Sequence, residues 1–192
     1  MRPSSRRTEQ QAALCRLNTA SRASAEAALL ESCASRRWAA LLATHRPYPN
    51  LEALLAAADE AAYDLTPEDL AEALAGEAAR HPLDAVYRPA HSADRPGVLA
   101  AHTALRAALA AYESRFGHTF LLCLDDRSPA ERLDAALTAL RSRLAHEPEE
   151  ERTVTAEELR RLVRGRLSRH SFRNALAVPA PRGQHPHHSG RF

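Results

Sequence analysis

The 192-residue chain has no lysine; all 26 of its basic residues are arginine. Catalysis through a lysine Schiff base is therefore excluded. Only 6 glycines are present, and no glycine-rich loop exists to cradle a phosphate. HExxH and GxSxG motifs are absent as well. The three cysteines, Cys15, Cys33 and Cys123, form no CxxC pair. Their scattered placement predicts buried thiols in a reducing compartment, not a disulfide frame. No apolar run is long enough to cross a bilayer. The opening stretch MRPSSRRTEQQ lacks the apolar centre of a secretory signal, so a cytoplasmic location is expected. A formal net charge of only +2 gives no strong field for nucleic acid or a membrane surface, and neither is an expected partner.

What the chain does have is alanine, leucine, glutamate and arginine, all good helix formers. Residues 1–10 are polar and basic and read as a disordered tail. Residues 171–192, rich in proline, glycine and histidine, bury too little apolar surface to repay their ordering and read as a second tail. Its HPHH run, His185 to His188, is expected to be an exposed tail feature with at most weak metal affinity. Residues 11–170 between the tails predict one all-α domain, a compact bundle of roughly seven or eight helices. Ala28, Leu29, Cys33, Trp38, Leu41 and Leu42 fall at helical spacing, as two short helices around Ser35. Three helix starts carry capping signals: Thr66-Pro67 with Asp69, Ser128-Pro129 with Glu131, and Thr155 with Glu158. The nearest strand candidate, Thr119 to Leu124, is short and has no partner.

Three polar settings stand out. His81-Pro82 closes a helical run, and a helix terminus holds an imidazole firmly at the edge of a cleft; an exposed histidine at a helix stop is the plainer alternative. Tyr112, Phe116 and Phe120 gather bulk in a chain with only 5% aromatics. Gly117 breaks the helix there, and Phe120 to Leu124 is too short for a helix of its own. Such a segment either offers its backbone groups to a small polar ligand or simply connects core elements. Arg166 follows Leu162 and Val163 at i+4 and i+3, near the apolar face of its helix. It is suited to an ion pair with an acid or to a substrate carboxylate held bidentately.

In order along the chain, LNTA, CASRRWAALLATHRPYPNLEALLAAADEA, His81-Pro82, YESRFGHTFLLC and RTVTAEELRRLVRGRL resemble the 2-oxo-4-hydroxy-4-carboxy-5-ureidoimidazoline (OHCU) decarboxylases, over roughly residues 17 to 168. The resemblance implies an all-α homodimer that uses no metal and no organic cofactor. It implies conversion of OHCU to (S)-allantoin with loss of CO₂, the last step of urate breakdown. Carried across, His81 is the acid–base residue and Pro82 lines the pocket. The backbone of Phe120, Leu121, Leu122, Cys123 and Leu124 contacts the substrate, and Arg166 is the arginine of the final helix. After His-Pro the family pattern has Ser-x-x-Glu-Gln, whereas this chain has HPLDA and HSADRPGVLAAHTAL, with no glutamate from Arg80 to Ala111. Asp94 is the nearest acid to the expected place; other gap placements bring Arg95 or His102 there. The alternative is a paralogue of the same fold, with diverged or lost catalysis, that binds a ureide or a partner protein.

Overall fold

A computed structural model describes residues 3–80 and 96–169, with side chains from Arg7 onward and, in the second stretch, from Ala100. Among the described residues there are eight helices and no strand, so the all-α expectation holds. They are α1 Pro3–Thr19, α2 Arg22–Leu30, α3 Arg36–Thr44, α4 Leu51–Tyr63, α5 Pro67–Arg80, α6 Pro96–Phe116, α7 Arg132–Arg143 and α8 Pro148–Arg169. The first of these begins inside the 1–10 stretch set aside as a tail. No described helix is long and apolar enough to cross a membrane.

Local chemistry sets most boundaries. Ser35 splits the first helical run as expected, its hydroxyl accepting from the Trp38 N–H at 3.3 Å. Asn50 caps α4 by accepting from the Ala53 N–H at 2.9 Å. At the start of α5 the Asp69 N–H donates to Thr66 Oγ1 at 3.2 Å, and the Thr66 N–H donates back to Asp69 Oδ2 at 3.1 Å. That reciprocal box satisfies two donors that a helix start otherwise leaves open. Ser128 and Glu131 form the same kind of bond, Ser128 N–H to Glu131 Oε2 at 3.0 Å, but regular helix begins only at Arg132. The Thr155 start is corrected: α8 begins at Pro148, and Thr155 lies within it, fully buried and bonded to Glu151.

The helices pack around two hydrophobic cores. The larger joins α1 to α5 with the later turns of α8, through Leu17, Leu29, Trp38, Leu54, Leu159 and Val163 among others. The smaller lies between α6 and α7, around Leu105, Tyr112 and Leu140. Consecutive residues of the 119–124 segment serve different cores: Phe120 enters the smaller and Leu121 the larger. An extended backbone sends successive side chains to opposite sides, and here each side is an interior.

Several family-like motifs act as fasteners. Asn18, in LNTA, donates to the Tyr48 carbonyl at 2.8 Å and accepts from its N–H at 2.9 Å. Arg46 donates to the Leu17, Ala20 and Ala43 carbonyls. Together they tie the end of α1 to the RPYPN turn. Trp38 Nε1 donates to the Ala58 carbonyl at 3.1 Å and locks α3 to α4.

Candidate active site

The buried face of α5 reads Leu70, Ala73, Leu74 and then Glu77. The apolar stripe thus ends on a carboxylate that is fully buried. Unpaired, such a charge is prohibitively costly, so it must be matched. Arg166 of α8 matches it bidentately, NH1 to Oε1 and NH2 to Oε2, both at 2.6 Å. Arg80, three residues on, donates to Oε1 at 2.9 Å. Each arginine is anchored a second time where α2 gives way to α3: Arg166 to the Ser32 carbonyl of the link at 3.0 Å, Arg80 to the carbonyl of Leu30, the last residue of α2, at 2.7 Å. Gly76 allows this approach, because a Cβ there would stand 2.1 Å from Ala34 Cβ.

The electrostatics follow from these contacts. Burial works against the Arg166 charge, but the Glu77 hydrogen bonds and charge outweigh it and raise the arginine's pKa. Burial pushes the neighbouring Cys33 thiol up to about 11, so it stays a thiol at neutral pH and is no nucleophile. The Ser32 hydroxyl is buried with no hydrogen-bond partner among the described residues.

The Phe120 to Leu124 segment runs toward the same place. Its Leu121 carbonyl accepts from Arg143 NH1 at 2.5 Å, and its Cys123 N–H donates to Glu158 Oε2 at 2.7 Å. The Leu124 carbonyl accepts from the Arg127 N–H at 3.1 Å. These three groups are already engaged within the protein. Just beyond the segment, Asp125 pairs with Arg169 at 2.7 Å and lies close enough to raise the Arg166 pKa. Leu122, Cys123 and Leu124 line a cleft of about 700 Å³ whose α8 wall is Glu158 and Arg161. A separate groove of about 650 Å³ lies between α5 and the Gly117 turn, lined by Leu74, Ala78, Phe116 and His118 among others.

Beneath the segment sits a buried polar knot. Glu151 of α8 accepts from Arg143 Nε at 2.9 Å and NH2 at 2.5 Å, from the Tyr112 hydroxyl, and from the Thr155 hydroxyl at 3.1 Å. Its other oxygen meets His146 Nδ1 at 2.8 Å. Burial alone would raise the Glu151 pKa, but Arg143, Tyr112 and His146 overcome it and hold the carboxyl below its ordinary value. The Arg143 guanidinium also stacks 4.5 Å from the Phe120 ring centroid. Gly117, at φ 74°, turns the chain out of α6 into this region.

Of the residues singled out in the sequence, Phe120 to Leu124 bonds to Arg143 of α7 and Glu158 of α8, while Arg166 bonds to Glu77 and Ser32; Asp125, just beyond the segment, is what comes near Arg166. His81, Pro82, Asp94 and Arg95 lie outside the described residues, as do His185 to His188. His102 is buried in α6, and its Nδ1 has no hydrogen-bond partner among the described residues. Sequence reasoning missed Glu77, Arg143 and Glu151. Glu77 had a legible signal, an acid continuing the apolar spacing of Leu70, Ala73 and Leu74. Glu151 sits in an acidic run that reads as a solvated face, so it had none.

The described residues form an all-helical scaffold in which α8 carries an arginine to a buried acid; comparison with known proteins narrows the class. The chain belongs to the OHCU decarboxylase family, whose model matches residues 18–168. Among solved structures it is similar in fold to one described as the crystal structure of (S)-allantoin synthase, with a TM-score of 0.57 and 19% identity. That match covers 80% of this chain and 52% of the other, so the chain spans about half of that protein's length. No curated protein sequence matches the chain.

Proposed function

We propose that the protein catalyses the cofactor-free decarboxylation of OHCU to (S)-allantoin, as a single domain over residues 11–170 acting in a cytoplasmic homodimer. The observation that carries this reading is the position of Arg166. It is bonded to Glu77 in the last turn of α5, four residues before His81, and Asp125, which directly follows Leu124, is near enough to act on its charge while pairing with Arg169. Family membership supports the reaction class.

The chemistry asks little of the protein. The bond from ring carbon to carboxylate breaks, CO₂ leaves, and the electron pair delocalises into the adjacent imine and carbonyl. The protein orients the carboxylate out of the ring plane and steadies the developing charge. Arg166 and the Phe120 to Leu124 backbone hold the substrate, with Pro82 against it and Asp94 as the supporting acid. The His81 imidazole, which titrates near neutrality in its ordinary state, delivers the proton to one face of the carbanion.

The test generates OHCU in situ from urate and follows its circular dichroism. The wild type is expected to accelerate formation of (S)-allantoin, His81→Ala to lose the acceleration, and Arg166→Ala to raise the apparent KM. Decay at the spontaneous rate with the wild type would remove the reading. One observation favours the second reading, a family member that keeps the fold without the chemistry: Glu77 already occupies two donors of Arg166. Unchanged kinetics in Arg166→Ala, with an active wild type, would return that arginine to a structural role.

A further inference from the structure

We infer that Glu77 is a positioning residue: its buried carboxylate fixes the Arg166 guanidinium in the orientation that receives the substrate carboxylate. This rests on the reading of Arg166 as a substrate-binding residue. An arginine side chain has several rotatable bonds, and holding one in place ordinarily costs conformational entropy at the moment of binding. Here that ordering is built into the fold. Glu77 grips two guanidinium nitrogens at 2.6 Å each, and the Ser32 carbonyl takes a further N–H of one of them at 3.0 Å. Two planar groups joined at two points share an orientation as well as a distance.

The carboxylate does not cancel the cationic character of the region. Arg80, Arg166 and Arg169 stand against Glu77 and Asp125, three positive charges to two negative, through bonds of 2.9, 2.6 and 2.7 Å. One net positive charge remains among these described residues for an anionic substrate. Arg166 keeps 19% of its side chain exposed although its partner is wholly buried. One edge of the guanidinium is thus locked inward, while the side chain as a whole is not fully enclosed. Among the described residues Arg166 Nε makes no hydrogen bond, so donor capacity is left over. The geometry of α5 is equally constrained, because Gly76 sits hard against Ala34 and gives Glu77 little room to retreat.

The test uses the full chain with Glu77→Gln, which keeps shape and removes charge, and Glu77→Asp, which keeps charge but shortens the reach. Two readouts are taken. With OHCU generated in situ, Glu77→Gln is expected to raise KM at least tenfold while kcat changes less than threefold. Independently of activity, phenylglyoxal labelling of arginines is mapped by peptide mass spectrometry. Arg166 is expected to label at least fivefold faster in Glu77→Gln than in the wild type and at an intermediate rate in Glu77→Asp. Arg143, buried elsewhere, should stay protected in all three and so report an intact fold. An Arg166 labelling rate that does not change would overturn the inference, as would equal falls in kcat and kcat/KM at constant KM. If Glu77→Gln does not fold, the Asp variant decides by the same labelling criterion. A wild type that leaves OHCU decay at its background rate removes the decarboxylase reading, and the labelling then still decides whether Glu77 holds Arg166.

Discussion

Among the described residues two fully buried glutamates, Glu151 and Glu77, are each paired with arginine, and their surroundings differ. Arg143 and Glu151 are 5% and 0% exposed, and all three guanidinium nitrogens of Arg143 are engaged. Their partners come from α6, α7, α8 and the Leu121 backbone, so the pair joins four parts of the chain. Arg166 and Glu77 are 19% and 0% exposed, and the arginine meets only the α2–α3 link besides its acid. The first pair is saturated with internal partners and has nothing to offer a ligand. The second holds its acid inside and its arginine at an edge. Burying a charge pair costs desolvation whichever way it is arranged. What the arrangement decides is whether the cation stays available.

The largest expected effect tests the saturated pair. Arg143→Met takes from the buried Glu151 its arginine, leaving the Tyr112 and Thr155 hydroxyls and His146 beside it, and strips the Leu121 carbonyl of its donor. A loss of about 3–5 kcal/mol is expected. For a protein of this size that lowers the Tm by roughly 6–20 °C. Arg166→Met should cost less than half as much, because Arg80 remains beside Glu77. Thermal unfolding followed by circular dichroism compares the two variants directly. Equal losses would erase the distinction between a structural and an available pair.

The two regions were unequally legible in the sequence. Arg166 could be read because its spacing from Leu162 and Val163 sets it beside the core, and that placement holds. The helices could be read because Ser35 and the Thr66–Asp69 box are local signals, written within a few residues of the bonds they make. The same locality misled at Thr155: a threonine followed by glutamate three residues later reads alike at a helix start and inside one. Only the burial of Thr155 against Glu151 tells them apart. The knot was illegible because Tyr112, Arg143 and Glu151 are far apart in sequence and meet only through packing. Glu77 differs: the family pattern sets its acid downstream of His-Pro, toward Asp94, while this buried carboxylate lies in the preceding turn of α5.

The second expected effect concerns the support under Glu77. Replacing a helical glycine with alanine commonly stabilises by about 0.5–1 kcal/mol. Gly76→Ala should instead destabilise by about 1–3 kcal/mol, because the new methyl would meet Ala34 Cβ and force α5 off the α2–α3 link. Urea unfolding gives the sign. A raised midpoint would mean that α5 shifts freely and that the Arg166 pair is looser than the saturated one for a simple steric reason.

Acid should separate the regions next. The Glu151 carboxyl is held below its ordinary value near 4.5 by Arg143, Tyr112 and His146, in spite of its burial. The unfolded chain therefore takes up this proton first as pH falls. The stability that Glu151 contributes is fully present above about pH 4.5 and drains away as pH drops through its lower folded value. Unfolding free energy measured between about pH 6 and pH 3 should fall more steeply for the wild type than for Glu151→Gln. Parallel slopes would show that other carboxylates carry the acid response.

The smallest expected effect is at Arg80, the second cation on Glu77. Its side chain is 30% exposed, so water screens the attraction and stabilises the guanidinium when the pair opens. Arg80→Met keeps much of the apolar stem along the protein surface and removes only the charged head. Glu77 still has both of its 2.6 Å bonds from Arg166. Less than about 1 kcal/mol should be lost, the usual range for a partly exposed pair. Chemical denaturation resolves that difference if the denaturant dependence is unchanged. A loss approaching that of Arg143→Met would mean that both arginines brace Glu77 as tightly as the knot braces Glu151. The outer cluster would then belong to the scaffold, with no cation held ready for a substrate.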